Sequence, residues 1–186
     1  MSILATLAKA YDRLPDVPPF GFATQNIHFC IVLDASGVPI GPPVSWETGK
    51  KGEPRPRAMN VPYFGGRSGS NAPSYFLWDN SAYVLGVSKK EGFDAEKRFR
   101  TFQDHHLTFL ENSNSYALRS VRLFIEKWSP ERFFLLGFPE SMFDKNIVFR
   151  FIEDKILIHE RADAIDIWKK NYVPDTIGTG VCLITG

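Results

Sequence analysis

The stretch Asn26-Ile27-His28-Phe29-Cys30-Ile31-Val32-Leu33, followed by Asp34-Ala35-Ser36-Gly37 and then Val38-Pro39-Ile40, carries the β part of the fold. Its β-branched and aromatic side chains suit a pleated, half-buried surface, and Ala35-Ser36-Gly37 supplies turn chemistry. The segment is therefore expected as a hairpin, with Asp34 at its end. On its N-terminal side, Ser2 can cap a helix, and Ile3, Leu4, Leu7, Ala8, Tyr11 and Leu14 recur at three- and four-residue spacing. That spacing predicts an amphipathic helix over 3–14, stopped by Pro15, Pro18 and Pro19.

On the C-terminal side, Gly41 to Pro62 reads as an irregular, basic excursion with Pro42, Pro43, Pro54 and Pro56. A Gly/Ser loop from Tyr63 to Pro73 then leads into the aromatic run Tyr75, Phe76 and Trp78, which is expected to be core that anchors the loop. Helical periodicity covers Asp94 to Glu111 and Tyr116 to Trp128, and the polar connection Asn112-Ser113-Asn114-Ser115 suits an antiparallel pair. Phe133 to Phe138, Ile147 to Ile152 and Lys155 to His159 look like strands, the last two joined by a turn at Glu153-Asp154, and a last helix is expected near Ala162 to Lys170. The expected class is α+β: a single mixed domain with an antiparallel sheet, several helices and a basic Gly/Pro-rich loop insertion. It should span residues 1–177, with 178–186 opening a following region that continues beyond Gly186.

Hydrophobic residues make up 44% and charged residues 23% of the 186 positions, which is ordinary globular usage and excludes intrinsic disorder. A formal net charge of +1 excludes a strong global field, so any nucleic-acid role must come from local clustering. Cys30 and Cys182 exclude a disulfide scaffold and form no C-x-x-C pair; both are expected as reduced, inert core thiols in a cytoplasmic protein. The first residues lack a signal peptide's apolar run, being interrupted by Lys9, Asp12 and Arg13, and no segment reaches the roughly 20 apolar residues of a membrane span.

The positive cluster is local: Lys50, Lys51, Arg55, Arg57 and Arg67 face a single Glu53 within residues 50–71. Arginine can grip phosphate or a guanine edge with two parallel hydrogen bonds, lysine acts as a mobile point charge, and prolines keep the segment extended. The loop Gly65-Gly66-Arg67-Ser68-Gly69-Ser70-Asn71 adds backbone that a ligand can approach closely, although it lacks the G-x-x-x-x-G-K-[ST] pattern of a P-loop. The same residues also suit a solvated surface loop. Enzyme chemistry is poorly served. His105 and His106 diverge by about 100° on a helix and cannot chelate one ion from one face. His28 and Cys30 share a sheet face, but two ligands are no metal site. Glu153-Asp154-Lys155 with Asp163 only faintly suggests a nuclease cluster. No cofactor, no metal and no catalytic residue is expected.

Several stretches, taken in order, go further. Met1-Ser2-Ile3-Leu4-Ala5-Thr6-Leu7 with Tyr11, Gly49-Lys50-Lys51 through Arg55-Pro56-Arg57, Arg67-Ser68-Gly69-Ser70-Asn71-Ala72-Pro73-Ser74-Tyr75-Phe76-Leu77-Trp78-Asp79-Asn80 with Tyr83-Val84-Leu85-Gly86, and Val181-Cys182-Leu183-Ile184-Thr185-Gly186 resemble the large subunit of the type I-C CRISPR Cascade complex. The resemblance implies a non-catalytic DNA-recognition subunit. It would sit near the 5′ end of the guide RNA, read the protospacer-adjacent motif on duplex DNA and assist strand opening, while guide pairing supplies most of the specificity. It also implies as partners double-stranded target DNA, the guide-RNA-containing Cascade subunits and a recruited helicase-nuclease, and no membrane. An acidic viral anti-CRISPR protein would suit the same basic loop. Arg67 and Asn71 are expected as groove or phosphate donors, with Lys50, Lys51, Arg55 and Arg57 as flanking backbone contacts. The alternative is a docking module that seats the subunit on its neighbours without touching DNA.

Overall fold

The computed structural model describes residues 17–48, 54–69 and 72–171. The helix expected over 3–14, the candidate residues Lys50, Lys51, Ser70 and Asn71, Cys182 and the region 178–186 lie outside the described residues.

The expected first strand divides at His28 into β1 (Phe22–Ile27) and β2 (Phe29–Leu33), which belong to different sheets. All five β2 residues are buried, so both faces of this strand are covered. After β2, Asp34 closes the turn: its carboxylate accepts from the amides of Ser36 and Val38 at 2.8 Å each, and Gly37 takes φ +73°. The chain bridges back at Pro39 and pairs again at β3 (Val44–Ser45), which gives the expected hairpin a longer return arm.

Gly41 to Pro62 is more ordered than its composition suggests. β4 (Glu47–Thr48) pairs with β5 (Pro54–Arg55), and β6 (Arg57–Pro62) runs antiparallel along the whole of β1, Phe22 opposite Pro62 and Ile27 opposite Arg57. Proline is tolerated in this two-stranded ribbon because Pro62 sits at a strand end and Pro56 lies between β5 and β6.

The main sheet has the order β3-β2-β8-β7, with β7 at Trp78–Asn80 and β8 at Asn146–Phe151. β2 and β8 are parallel while the outer pairs are antiparallel, so this sheet is mixed, and the expected antiparallel pairing is found in its outer pairs and in the β1–β6 and β4–β5 ribbons. Short α1 (Ser81–Val84) follows β7, and Asn80 caps it by accepting from the Ala82 amide at 3.0 Å. α2 (Ala95–Leu110) and α3 (Tyr116–Lys127) fall where periodicity predicts them, capped by Asp94 and Ser115. Phe102, Val121 and Phe124 from these helices join Phe29, Ile31, Ile147 and Phe149 on one sheet face. Cys30, Val148 and Trp78 point to the other face, where Ile27, Val61 and Tyr75 cover them. The sheet thus lies between a helical layer and the β1–β6 ribbon.

Two expected strands are absent. Phe133 to Phe138 instead begins with the helical turn α4 (Arg132–Leu135) and closes on Gly137 at φ +66°. Ser129-Pro130-Glu131 ahead of it is helix-start chemistry, which overrides the β propensity of the aromatic run. Lys155 to His159 forms no partner for β8; Ile158–Glu160 is a 3₁₀ turn whose Glu160 carboxylate accepts from the Leu157 amide at 2.9 Å. α5 (Ala162–Asn171) ends the described chain, with Asp163 in its first turn and Trp168 buried against Phe76. Among the described residues, no helix is long and apolar enough to cross a membrane.

Candidate nucleic-acid interface

The loop after β6 is held from inside by a buried ion pair. Arg67 donates from Nη1 to Asp79 Oδ2 at 2.6 Å and to the Pro73 carbonyl at 2.8 Å, while its Nη2 donates to Asp79 Oδ1. The side chain of Arg67 is 13% exposed and that of Asp79 1%, and the guanidinium lies between the rings of Tyr75 and Tyr83, at 4.1 and 4.0 Å from their centroids. Asp79 also accepts from the amides of Tyr75 at 3.0 Å and Asn80 at 2.7 Å. Its own burial opposes ionisation, and these four donors oppose that cost. Burial alone would lower Arg67, but the Asp79 hydrogen bonds, together with the charge of Asp79 and the flanking Tyr83 and Tyr75, outweigh it and hold the guanidinium above its ordinary value.

Further ties fix the loop backbone. Tyr75 Oη donates to the Gly65 carbonyl at 3.1 Å, Arg98 Nη2 to the Gly69 carbonyl at 2.8 Å, and Tyr83 Oη to the Ala72 carbonyl at 3.0 Å. Beneath them, Leu77 adopts φ +62° although it is fully buried, a conformation a branched residue rarely takes. His106 supports it, accepting from the Leu77 amide through Nε2 at 2.8 Å while Nδ1 faces the Phe102 carbonyl at 2.8 Å. Tyr75 stacks on Trp78 at 4.5 Å, and the Trp78 indole donates to the Pro62 carbonyl at 2.7 Å. The aromatic run is core, and it anchors the loop.

Arg67 therefore points inward as the pin of this loop rather than outward as a groove donor, whereas Gly66, Ser68 and Gly69 are exposed on its outer side. Arg55 and Arg57 lie elsewhere, at the opposite end of β6: five residue steps of about 3.4 Å separate Arg57 from Pro62, about 17 Å in all. There the guanidinium carbon of Arg57 lies 5.5 Å from the centroid of the Trp46 ring. The candidate residues thus divide into an anchored glycine loop and an arginine-bearing arm.

Asp79, Tyr83, Arg98 and Trp46 escaped the reading of the sequence. Asp79 left a trace, since an acid closing the apolar run Tyr75 to Trp78 must find a cation if it is buried. Among the described residues, no group of three or more His, Cys, Asp or Glu is placed to hold a metal ion. Asp154 is bonded to Arg161 at 2.5 Å and to Tyr116 Oη at 3.0 Å, and Arg161 also meets Asp163 at 3.2 Å. Burial pushes the Cys30 thiol up to about 12, which keeps it protonated.

Burial also holds His105 and His159 at about 4 and His106 well below its ordinary value. The unfolded chain, titrating near pH 6.5, then binds more protons than the folded one at lower pH. Stability should be complete above about pH 6.5 and fall towards pH 4, by up to about 1.4 kcal/mol per pH unit for each histidine. Urea unfolding at pH 7.5 and pH 5 measures this; an unchanged midpoint would mean that the histidines take up protons without unfolding.

A mixed sheet backed by helices, with exposed backbone at one end of a strand and arginines at the other, defines an α+β domain that presents a loop and an arm at its surface. The family model of the CRISPR-associated protein (Cas_Csd1) matches residues 7–186, and the chain belongs to that family. This agrees with the type I-C Cascade large-subunit resemblance of its sequence. No curated protein matches the chain.

Proposed function

We propose that this chain is a non-catalytic DNA-recognition part of a type I-C Cascade large subunit, which contacts target duplex beside the protospacer and assists its opening. The supporting observation is the anchoring of Gly65 to Gly69: the carbonyls of Gly65 and Gly69 are tied inward by Tyr75 and Arg98, Tyr83 holds the Ala72 carbonyl just beyond, and Gly66, Ser68 and Gly69 are left exposed. A backbone surface fixed before binding loses little entropy when it meets a groove. Arg57 lies about 17 Å from the loop end of β6, with Arg55 just beyond it in β5, farther than the roughly 12 Å width of a major groove, so loop and arm can reach the backbones on its two sides. The partners that follow are target DNA, the guide-RNA-bearing subunits and a helicase-nuclease that does the cutting.

The test places charge on the loop without touching its anchor. Ser68 is exposed, and a Cβ at Gly66 would come no closer than 4.0 Å to its nearest neighbour, Tyr63 Oη, so Ser68→Glu and Gly66→Glu should fold. In the assembled complex each should weaken target-duplex binding by about tenfold, a loss of about 1.4 kcal/mol, while the subunits stay together. Unchanged affinity and motif preference would refute the reading, and failed assembly with normal DNA binding would favour the docking role.

A further inference from the structure

We propose that the cleft beside the glycine loop is a pocket for one unstacked nucleobase of the opened duplex, and that it takes any of the four bases. The cleft has a volume of about 370 Å³, within the usual range of small-ligand sites, and Phe64, Phe109 and Trp168 wall it together with Ser74, Thr101 and His105. Phe64 immediately precedes Gly65 and Ser74 follows Ala72-Pro73, so the cleft shares its walls with both ends of the loop. Those walls are set before any ligand arrives: Trp168 stacks on Phe76 at 5.9 Å, Phe109 meets the His105 ring edge-on at 4.3 Å, and Phe64 lies 4.9 Å from Tyr75. Fixed aromatic surfaces suit a flat ring, and every base has a π-face to offer.

The polar edge of the cleft is adjustable. His105 Nδ1 lies 2.7 Å from the Ser74 hydroxyl, while Nε2 meets no partner among the described residues and is not sealed from solvent as the nitrogens of His159 are. Burial keeps the ring neutral near pH 7, so one nitrogen donates and the other accepts. When Ser74 donates to Nδ1, Nε2 carries the proton and is a donor; when Nδ1 donates to Ser74, Nε2 is an acceptor. In both states the fully buried Ser74 hydroxyl keeps its partner. The pairing edge of any base holds both donors and acceptors and is answered by one tautomer or the other. A leucine or phenylalanine from a protein partner would leave Nε2 unsatisfied instead.

The pocket rests on the duplex-opening reading above and adds a capture step to it, since a base held out of the stack cannot re-pair. The test uses the assembled complex and a target already unpaired beside the motif, so that opening costs nothing, with one base at a time removed from either strand. Wild-type complex should bind about tenfold more weakly when the base at one position is missing, and should bind A, C, G and T there within about threefold of one another. Thr101→Phe, at a half-buried position of α2, and Asn171→Trp, at the exposed end of α5, fill the cleft from two different walls. Each should bind the intact target about tenfold more weakly and be indifferent to the missing base. Thermal melting shows which of the two folds as the wild type does, and either one suffices.

If no missing base matters to the wild-type complex, or if the filled variants respond to it as the wild type does, the pocket is overturned. Should Ser68→Glu and Gly66→Glu still weaken binding in that case, the loop reading stands without it. A preference of more than about tenfold for one base overturns the any-base assignment, because a tautomer free to exchange cannot discriminate so far. Variants that disturb only assembly or guide-RNA retention, while the remaining complex keeps its sensitivity to the missing base, overturn it too and give the cleft to a protein or RNA neighbour.

Discussion

Asp79→Ala should destabilise the protein by about 3–5 kcal/mol, because it strands the Arg67 guanidinium in a site with little water. The pair is 13% and 1% exposed, so solvent screens it little. The substitution also leaves the amides of Tyr75 and Asn80 without their acceptor. Arg67→Ala should cost a similar amount by stranding the carboxylate instead. The two changes together should cost far less than their sum, since each single variant already loses the shared interaction. Chemical denaturation of the two single variants and the double variant measures that coupling. Hydrogen exchange should also quicken at residues 65–69, whose carbonyls at Gly65 and Gly69 depend on the same Tyr75 and Arg98 scaffold. Additive losses, or a single-variant cost below about 1 kcal/mol, would mean that the pair contributes little to the fold. A complex with Arg67→Ala that binds DNA poorly would report a collapsed loop, not a lost phosphate contact.

Gly37→Ala should be comparably damaging for a steric reason. Gly37 sits at φ +73° in the turn after β2, and an added Cβ would meet backbone atoms of α3: the Phe124 nitrogen, the Ser120 carbonyl oxygen at 2.7 Å and the Leu123 carbonyl carbon at 2.8 Å. Main chain in the middle of a helix cannot swing aside as a lysine tip would. The expected loss combines about 1–2 kcal/mol of left-handed strain with about 1–3 kcal/mol of overpacking. For a chain of this length, a loss of about 3 kcal/mol corresponds to a fall of about 10 °C in Tm. Gly41→Ala is the internal control: it shares a positive φ, +70°, but a Cβ there meets nothing within 4 Å. Only the strain should remain. Equal melting temperatures for the two variants would show that the β2 turn and α3 separate easily, against the close approach seen here.

These two positions illustrate which parts of the molecule could be read along the chain. α2 and α3 were legible because apolar residues recur every three or four positions and because Asp94 and Ser115 accept from amides three residues on. Such signals act over one helical turn and need no knowledge of the rest of the fold. β8 was legible because a run of β-branched and aromatic residues suits a strand buried on both faces. The same reasoning failed at Phe133 to Phe138, where helix-start residues directly upstream outweighed aromatic propensity. The glycine loop and the basic residues could be found by composition, and Arg55 and Arg57 remain candidates on the arm. The role of Arg67 was not legible. In sequence it is one more cation in a basic stretch, and only the apposition of Asp79, twelve residues on, turns it inward.

Helix positions, the β2 turn at Asp34 to Gly37 and the place of the glycine loop follow from local chemistry, since caps, periodicity and turn residues act over a few positions. Tertiary structure alone decided that residues 57–62 pair with 22–27, that β2 and β8 run parallel across more than a hundred residues, and that a buried carboxylate claims Arg67. Those outcomes depend on which surfaces and charges the whole chain removes from water together, and no short window of sequence carries that sum.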